Sequence, residues 1–185
     1  MGDKILSPIL TIHPDLFTCE ECRALVSLSE TLGFTYVPIQ GKADFPRDFS
    51  VQNGRDNERA AIEDCNLAEA LWQRVKPIVP DEIDGKMVVG LNERLRFYRY
   101  KAGQSFTAHR DGYFLRENRE RSLLTLILYL NDDYTGGETR FLESENLIIP
   151  QQGQVIVFSH QLWHEGLPVT KGCKYVLRTD VIYQM

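Results

Sequence analysis

The chain changes rhythm near residue 88. Upstream, apolar residues recur every three or four positions in two stretches; downstream they fall into short runs broken by turn signals. The first stretch is CEECRALVSLSETLGF, residues 19–34, where Leu25, Leu28 and Leu32 share one helical face. Thr18 followed by Glu21 has the form of a capping box, in which each side chain reaches the other residue's backbone N–H. Gly33 suits the stop. The second stretch is NLAEALWQRVK, residues 66–76, with Leu67, Leu71, Trp72 and Val75 on the apolar face. Asn66 is the expected cap, and Pro77 ends the helix. Between them, residues 44–65 are polar and carry Asn53 and Gly54 as a turn signal. A segment of this length without clear periodicity reads as a functional loop.

From residue 88 the runs are VVGLNERLRFYRY, QSFTAHRD, LLTLILYLN, NLIIP, GQVIVFS and KYVLRTDVIY. Lys101-Ala102-Gly103, Asp132-Asp133, Gly136-Gly137, Gln152-Gly153 and Lys171-Gly172 separate them. Short strands at this spacing predict a mainly β fold, a sandwich or barrel-like double sheet, with the two helices covering one outer face. No linker or repeat interrupts the chain. One domain is therefore expected over residues 1–185, with a helical and loop part at 1–87 and the β core at 88–185.

Composition narrows the function classes. The 185 residues are 43% hydrophobic and 25% charged, ordinary for a globular protein. The net charge of −5 and scattered Lys and Arg give no reason to seek a nucleic-acid backbone. No apolar run approaches the ~18 residues of a membrane span, and the start does not read as a secretory leader. The four cysteines are too sparse for a disulfide scaffold, so a cytoplasmic protein with free thiols is expected. Cys19 and Cys22 have CxxC spacing but sit in a first helical turn with no second pair, and read as structural.

The four histidines are His13, His109, His160 and His164. In a strand, residues i and i+2 project to one face, so His109 and Asp111 in AHRDG point the same way. An imidazole and a carboxylate side by side are two-thirds of a 2-His-1-carboxylate triad, which leaves coordination positions open on Fe(II). The motif alone is weak, since Asp-Gly is also a turn signal. The third ligand is sought in VFSHQLWHEGLPVTKGCK. His160 follows directly on an apolar run and reads as a strand end; His164 lies beyond it, before the final strand. In that strand Lys174, Val176 and Arg178 share a face. A buried cation there could pair with the remote carboxylate of a metal-chelating dicarboxylate.

Taken in order, these segments resemble the prolyl 4-hydroxylase-like branch of the Fe(II)/2-oxoglutarate-dependent dioxygenases. The matching elements are Tyr100-Lys-Ala-Gly103-Gln104-Ser-Phe106-Thr-Ala-His109-Arg-Asp111, Leu124-Thr125-Leu-Ile-Leu-Tyr129-Leu130-Asn131 and Gly136-Gly137-Glu138-Thr139-Arg-Phe141. Gly153-Gln-Val-Ile-Val-Phe158 follows, with His164, Pro168, Val169, Gly172 and Lys174. Together they span residues 92–184, and LFTCEECRALVSLSE resembles that branch's first helix. The resemblance implies a double-stranded β-helix, the jelly roll shared with cupins. It implies Fe(II) on His109, Asp111 and His164, with 2-oxoglutarate and O2 as co-substrates and ascorbate as an auxiliary reductant. Lys174 would bind the distal carboxylate of 2-oxoglutarate, with Tyr100 and Thr125 in the same pocket. Some related oxygenases use arginine for that carboxylate, which leaves Arg178 as the alternative.

The implied reaction is hydroxylation of a C–H bond in a peptidyl residue or a small polar molecule, with release of succinate and CO2. A non-catalytic metal- and 2-oxoglutarate-binding module or sensor on the same fold is the alternative. For substrate contact, alternation in GLNERLRFYRY places Asn92, Arg94, Arg96, Tyr98 and Tyr100 on one face, away from Leu91, Leu95 and Phe97. If Tyr100 faces the pocket, so do the arginines; otherwise this is a solvated outer face. Arg55, Asn57 and Arg59 are further candidates, on a polar loop over the barrel mouth or simply in solvent.

Overall fold

The computed structural model describes residues 8–36, 54 and 56–185. Arg55 and Asn53 lie outside the described residues. The elements are β1 (Leu10–His13), α1 (Cys19–Leu32), β2 (Thr35–Tyr36), β3 (Glu58–Glu63), α2 (Cys65–Val75), β4 (Glu82–Ile83), β5 (Lys86–Leu91) and β6 (Arg94–Lys101). They continue with β7 (Phe106–His109), β8 (Glu120–Tyr129), β9 (Thr135–Gly136), β10 (Thr139–Phe141), β11 (Leu147–Ile148), β12 (Val155–Ser159), β13 (His164–Gly166), β14 (Val169–Lys171) and β15 (Cys173–Gln184).

A large sheet runs β1-β12-β8-β15-β6-β3-β2, with β5 on the far half of β15 and β4 beyond it. A smaller sheet runs β11-β10-β13-β7, and β14 pairs with β9. The pairings are antiparallel, and the two layers form the double-stranded β-helix expected of the sequence.

Strand alternation builds two apolar cores, one on each face of the large sheet. Leu95, Phe97, Leu124, Leu126, Leu128 and Leu177 point outward and are closed over by Cys22 and Leu25 of α1 and Leu71, Trp72 and Val75 of α2. Tyr98, Tyr100, Tyr129, Ile156, Phe158 and Val176 point inward, toward Phe141 and Ile148 of the small sheet.

The helix ends follow local chemistry. Thr18 accepts a hydrogen bond from the Glu21 amide and Glu21 accepts one from the Thr18 amide, so the capping box is complete. Gly33, at φ 78°, ends α1. The second helix begins earlier than expected. Its cap is Asp64, whose carboxylate accepts from the Leu67 amide at 2.9 Å, and Asn66 lies inside the first turn. Both residue types cap helices, and only the backbone distinguishes them.

The polar segment before α2 also differs from the expected loop. Glu58–Glu63 is a strand, paired along its length with β6. It reads as polar because Glu58 binds Arg99 and Lys101 rather than entering a core. The long run from residue 88 is two strands. Asn92 breaks it, its side chain accepting from the Arg94 amide at 3.0 Å while its own amide donates to Asp180.

Candidate metal and 2-oxoglutarate site

A cleft opens between the two sheets. Its inner wall carries Tyr98, Tyr100, Ile127, Tyr129, Lys174, Val176 and Arg178 from the large sheet. Phe106, His109, Thr139, His164, Glu165 and Gly166 face them from the small sheet, and Asp111 closes one end.

His109 and His164 are cross-strand partners in the β7–β13 register. The end of β7 at His109 lets the chain swing so that the Asp111 amide donates to the His160 carbonyl. The ligand-type atoms of His109, Asp111 and His164 then lie within 4.8 Å of one another. Each imidazole Nε2 is 3.7 Å from an Asp111 oxygen. Each Nδ1–H donates to a nearby backbone carbonyl, His109 to Thr107 at 2.8 Å and His164 to Leu162 at 3.0 Å. That fixes the tautomer and turns both Nε2 lone pairs inward.

Burial keeps the two imidazoles unprotonated, and neighbouring positive charge does the same for the carboxylate. Desolvation, aided by the neighbouring His164, lowers the His109 pKa to about 4, and desolvation lowers that of His164. Burial alone would raise the Asp111 pKa, but the adjacent Arg178 and the two imidazoles hold it below the usual carboxylate range. Two neutral imidazoles and one carboxylate fit a divalent metal with faces left open. The geometry and donor set could hold one divalent metal ion.

Lys174 is buried at the other end of the cleft. Its ammonium donates to the Gly137 carbonyl at 2.6 Å and lies 5.6 Å and 5.2 Å from the Tyr100 and Tyr129 ring centres. Gly137, at φ 72°, makes this possible: a Cβ there would come 3.2 Å from the lysine Cδ. Desolvation lowers the Lys174 pKa to about 7. A buried ammonium with so little anionic compensation is a ready partner for a ligand carboxylate. Tyr129 donates to or accepts from Thr139 at 2.7 Å beside it.

Arg178 occupies the opposite, metal end. Its guanidinium reaches Asp111 at 2.9 Å, Asp180 at 3.3 Å and the Tyr98 phenol at 3.5 Å. Thr125 does not line the cleft; it donates to Asp111 at 2.5 Å. Arg96 turns toward Asp180 and forms an ion pair with it, away from the cleft. Arg94 is exposed, and Asn92 is buried as the strand break described above. Among the face-sharing residues of that run, therefore, only Tyr98 and Tyr100 line the cleft. The strand is interrupted at Asn92, so alternation does not carry across it, and Arg96 is drawn to Asp180.

Arg59 stands opposite Tyr98 in the β3–β6 register, toward the rim of the sheet. Asn57 is buried and donates to the Glu58 carbonyl. The residues missed at the sequence level include Ile127, Tyr129 and Thr139. The first two were legible, since they follow Thr125 at two-residue steps in β8. Asp180 was similarly legible, two residues beyond Arg178 on one face. Nothing in the sequence marked Ser122.

Comparison with known proteins agrees with this geometry. The family model of the 2OG-Fe(II) oxygenase superfamily matches residues 95–179. Prolyl 4-hydroxylase 5 of Arabidopsis thaliana is 25% identical over 138 residues, 72% of this chain and 45% of that protein, so the chain spans about half the length of this curated relative. Among solved structures, the viral collagen prolyl hydroxylase of Paramecium Bursaria Chlorella virus-1, solved with 2-oxoglutarate, superposes with a TM-score of 0.69 at 21% identity, covering 95% of this chain and 96% of that one. A Pseudomonas putida prolyl-4-hydroxylase gives 0.65 at 20% identity over 93% and 91% of the two chains. A Trichoplax adhaerens prolyl hydroxylase bound to a hypoxia inducible factor peptide gives 0.68 at 18%, over 93% and 82%. Over residues 95–179 the chain is thus similar to the 2OG-Fe(II) oxygenase superfamily, and the relatives it resembles over most of its length are prolyl hydroxylases.

Proposed function

We propose that the protein is an Fe(II)- and 2-oxoglutarate-dependent hydroxylase acting on a C–H bond of a peptidyl residue or a small polar molecule. The observation that carries this reading is one cleft with three convergent metal-type donors at one end and a buried, weakly compensated lysine at the other. His109, Asp111 and His164 would hold the metal, and Lys174 would hold the distal carboxylate of 2-oxoglutarate, with Tyr100 beside it. The bound iron would supply O2 activation coupled to decarboxylation of the co-substrate, leaving succinate and CO2. The chain's own contribution is positional. It fixes both imidazole tautomers, keeps the donors deprotonated, and surrounds them with Phe106, Phe141 and Phe158, which limit water.

Arg178 sits too close to Asp111 to serve the same carboxylate as Lys174, and we assign the distal carboxylate to Lys174. Peptides bearing proline are the first substrates to test, because the relatives are prolyl hydroxylases. The acidic balance supports a substrate other than nucleic acid. No helix among the described residues is long and apolar enough to cross a membrane. Cys19, Cys22, Cys65 and Cys173 are free thiols, which supports a cytoplasmic location.

The test is succinate formation from 2-oxoglutarate with Fe(II) and ascorbate, screened over prolyl peptides and small polar metabolites. Turnover that requires iron and disappears in His109→Ala is expected. Metal-dependent 2-oxoglutarate binding with no turnover on any substrate would favour the binding module instead.

A further inference from the structure

His160 is not one of the three convergent donors, yet it is buried within hydrogen-bonding distance of two hydroxyls, one of which donates to Asp111. Thr125 Oγ is 2.5 Å from Asp111 Oδ2 and 2.9 Å from His160 Nδ1. A threonine hydroxyl has one proton, and a carboxylate only accepts. That proton is therefore committed to Asp111, and the threonine oxygen must accept from His160 Nδ1–H. The imidazole proton is thus on Nδ1. His160 Nε2, 2.9 Å from Ser122 Oγ, must then accept from that hydroxyl. Ser122 Oγ in turn accepts from the Phe114 amide at 2.8 Å.

The bonds run in one direction, from Phe114 through Ser122, His160 and Thr125 to Asp111. The backbone adds a second tether, since the Asp111 amide donates to the His160 carbonyl at 3.0 Å. Phe114 itself belongs to the exposed stretch Tyr113, Phe114 and Leu115 that follows the His-x-Asp motif. The opposing pull on the carboxylate comes from Arg178, which holds Oδ1 at 2.9 Å. With Thr125 on Oδ2, the carboxylate keeps one oxygen toward His164; without it, the carboxylate is free to turn both oxygens to the guanidinium.

We propose that His160 is a positioning residue for Asp111: with Ser122 and Thr125 it forms a one-way hydrogen-bond relay that sets the carboxylate's orientation and hence the metal affinity of the site. This rests on the reading of His109, Asp111 and His164 as a divalent metal site.

The test is Mn(II) titration of the chelator-stripped protein, which needs no substrate and no turnover. Thr125→Val and His160→Leu each cut the relay and should weaken Mn(II) binding by about tenfold to a hundredfold, the usual range for partners of metal ligands. The double variant should be no weaker than the worse single one, because both break one chain. Thr125→Ser keeps the hydroxyl, and His160→Asn places an amide N–H near the imidazole Nδ1–H. Thr125→Ser should bind Mn(II) like the wild type, and His160→Asn, which keeps the donor toward Thr125 but not the acceptor for Ser122, should lose less affinity than His160→Leu. Should His160→Leu fail to fold, the nearly isosteric Thr125→Val and Ser122→Ala carry the test, with thermal unfolding as a control. Wild-type binding with Thr125→Val unmoved, or losses that multiply in the double variant, would overturn the relay alone. No Mn(II) binding by the wild-type chain would overturn the metal reading and the relay with it.

Discussion

The two faces of the large sheet are built from the same strands and do opposite work. On the outer face, Leu95, Phe97, Leu126, Leu128 and Leu177 meet the two helices in a dry apolar layer. On the inner face, one residue away in each strand, lie Tyr98, Tyr129, Lys174 and Arg178. The outer face stabilises the fold. The inner face holds charged groups at a cost that only specific partners offset. Arg178 is matched by Asp111 and Asp180, whereas Lys174, among the described residues, meets a carbonyl, two ring faces and the coulombic pull of Glu138, without an ion pair. That difference favours Lys174 over Arg178 as the cation that would take a ligand carboxylate.

Substitution of a metal donor should separate the faces most sharply. Asp111→Ala or His109→Ala should reduce turnover to background and abolish tight Mn(II) binding while the thermal transition stays cooperative; full activity in either variant would remove the ligand assignment. The converse change is Leu128→Ala on the outer face. Leu128 is wholly buried, so it should cost roughly 2–5 kcal/mol of stability while the folded fraction keeps its Mn(II) affinity. A fall in metal affinity equal to that of the inner-face variants would mean the two layers are not independent.

Lys174→Ala comes next. Loss of a charge-assisted bond of about 1.5–3 kcal/mol predicts a Kd for 2-oxoglutarate raised by roughly one to two orders of magnitude, with Mn(II) affinity unchanged. Arg178→Ala should raise it less, and the reverse ranking in a binding titration would show that the arginine is the anchor.

The same lysine gives the comparison a pH dependence. Desolvation lowers its pKa to about 7, and a bound carboxylate favours the charged form. Binding is then linked to proton uptake above pH 7. The affinity for 2-oxoglutarate should be flat below that pH and fall by about tenfold per unit as pH rises through it, up to the pKa of the complex. A flat profile from pH 6 to 9 in the Mn(II)-loaded protein would contradict the unpaired-lysine account.

The smallest effect belongs to the covering layer. Thr18→Ala removes the α1 cap and should cost about 1 kcal/mol, read by denaturant unfolding, without changing 2-oxoglutarate affinity. A change in that affinity would tie the helix to the cleft.

Much of this was legible without a structure, because alternation and turn chemistry are local. The runs from residue 104 onward, the capping box at Thr18 and the His109–Asp111 pair follow from short-range spacing, whereas the resemblance to the prolyl 4-hydroxylase-like branch singles out His164 and Lys174. Strand β1 was missed, since four residues carry too little periodicity. Strand β3 was missed because its polar side chains are satisfied by partners far along the chain, Arg99 and Lys101 among them.

The sequence by itself determined which residue types could meet a metal and a dicarboxylate, and in what order. Only the tertiary structure decided which of them do meet. It turned Thr125 from the cleft to Asp111, sent Arg96 to Asp180, left Arg94 in solvent, and brought Ser122 and His160 behind the carboxylate. The reason is that a strand fixes only which face a side chain leaves from. What it reaches depends on neighbouring strands whose register is set by pairings scores of residues away.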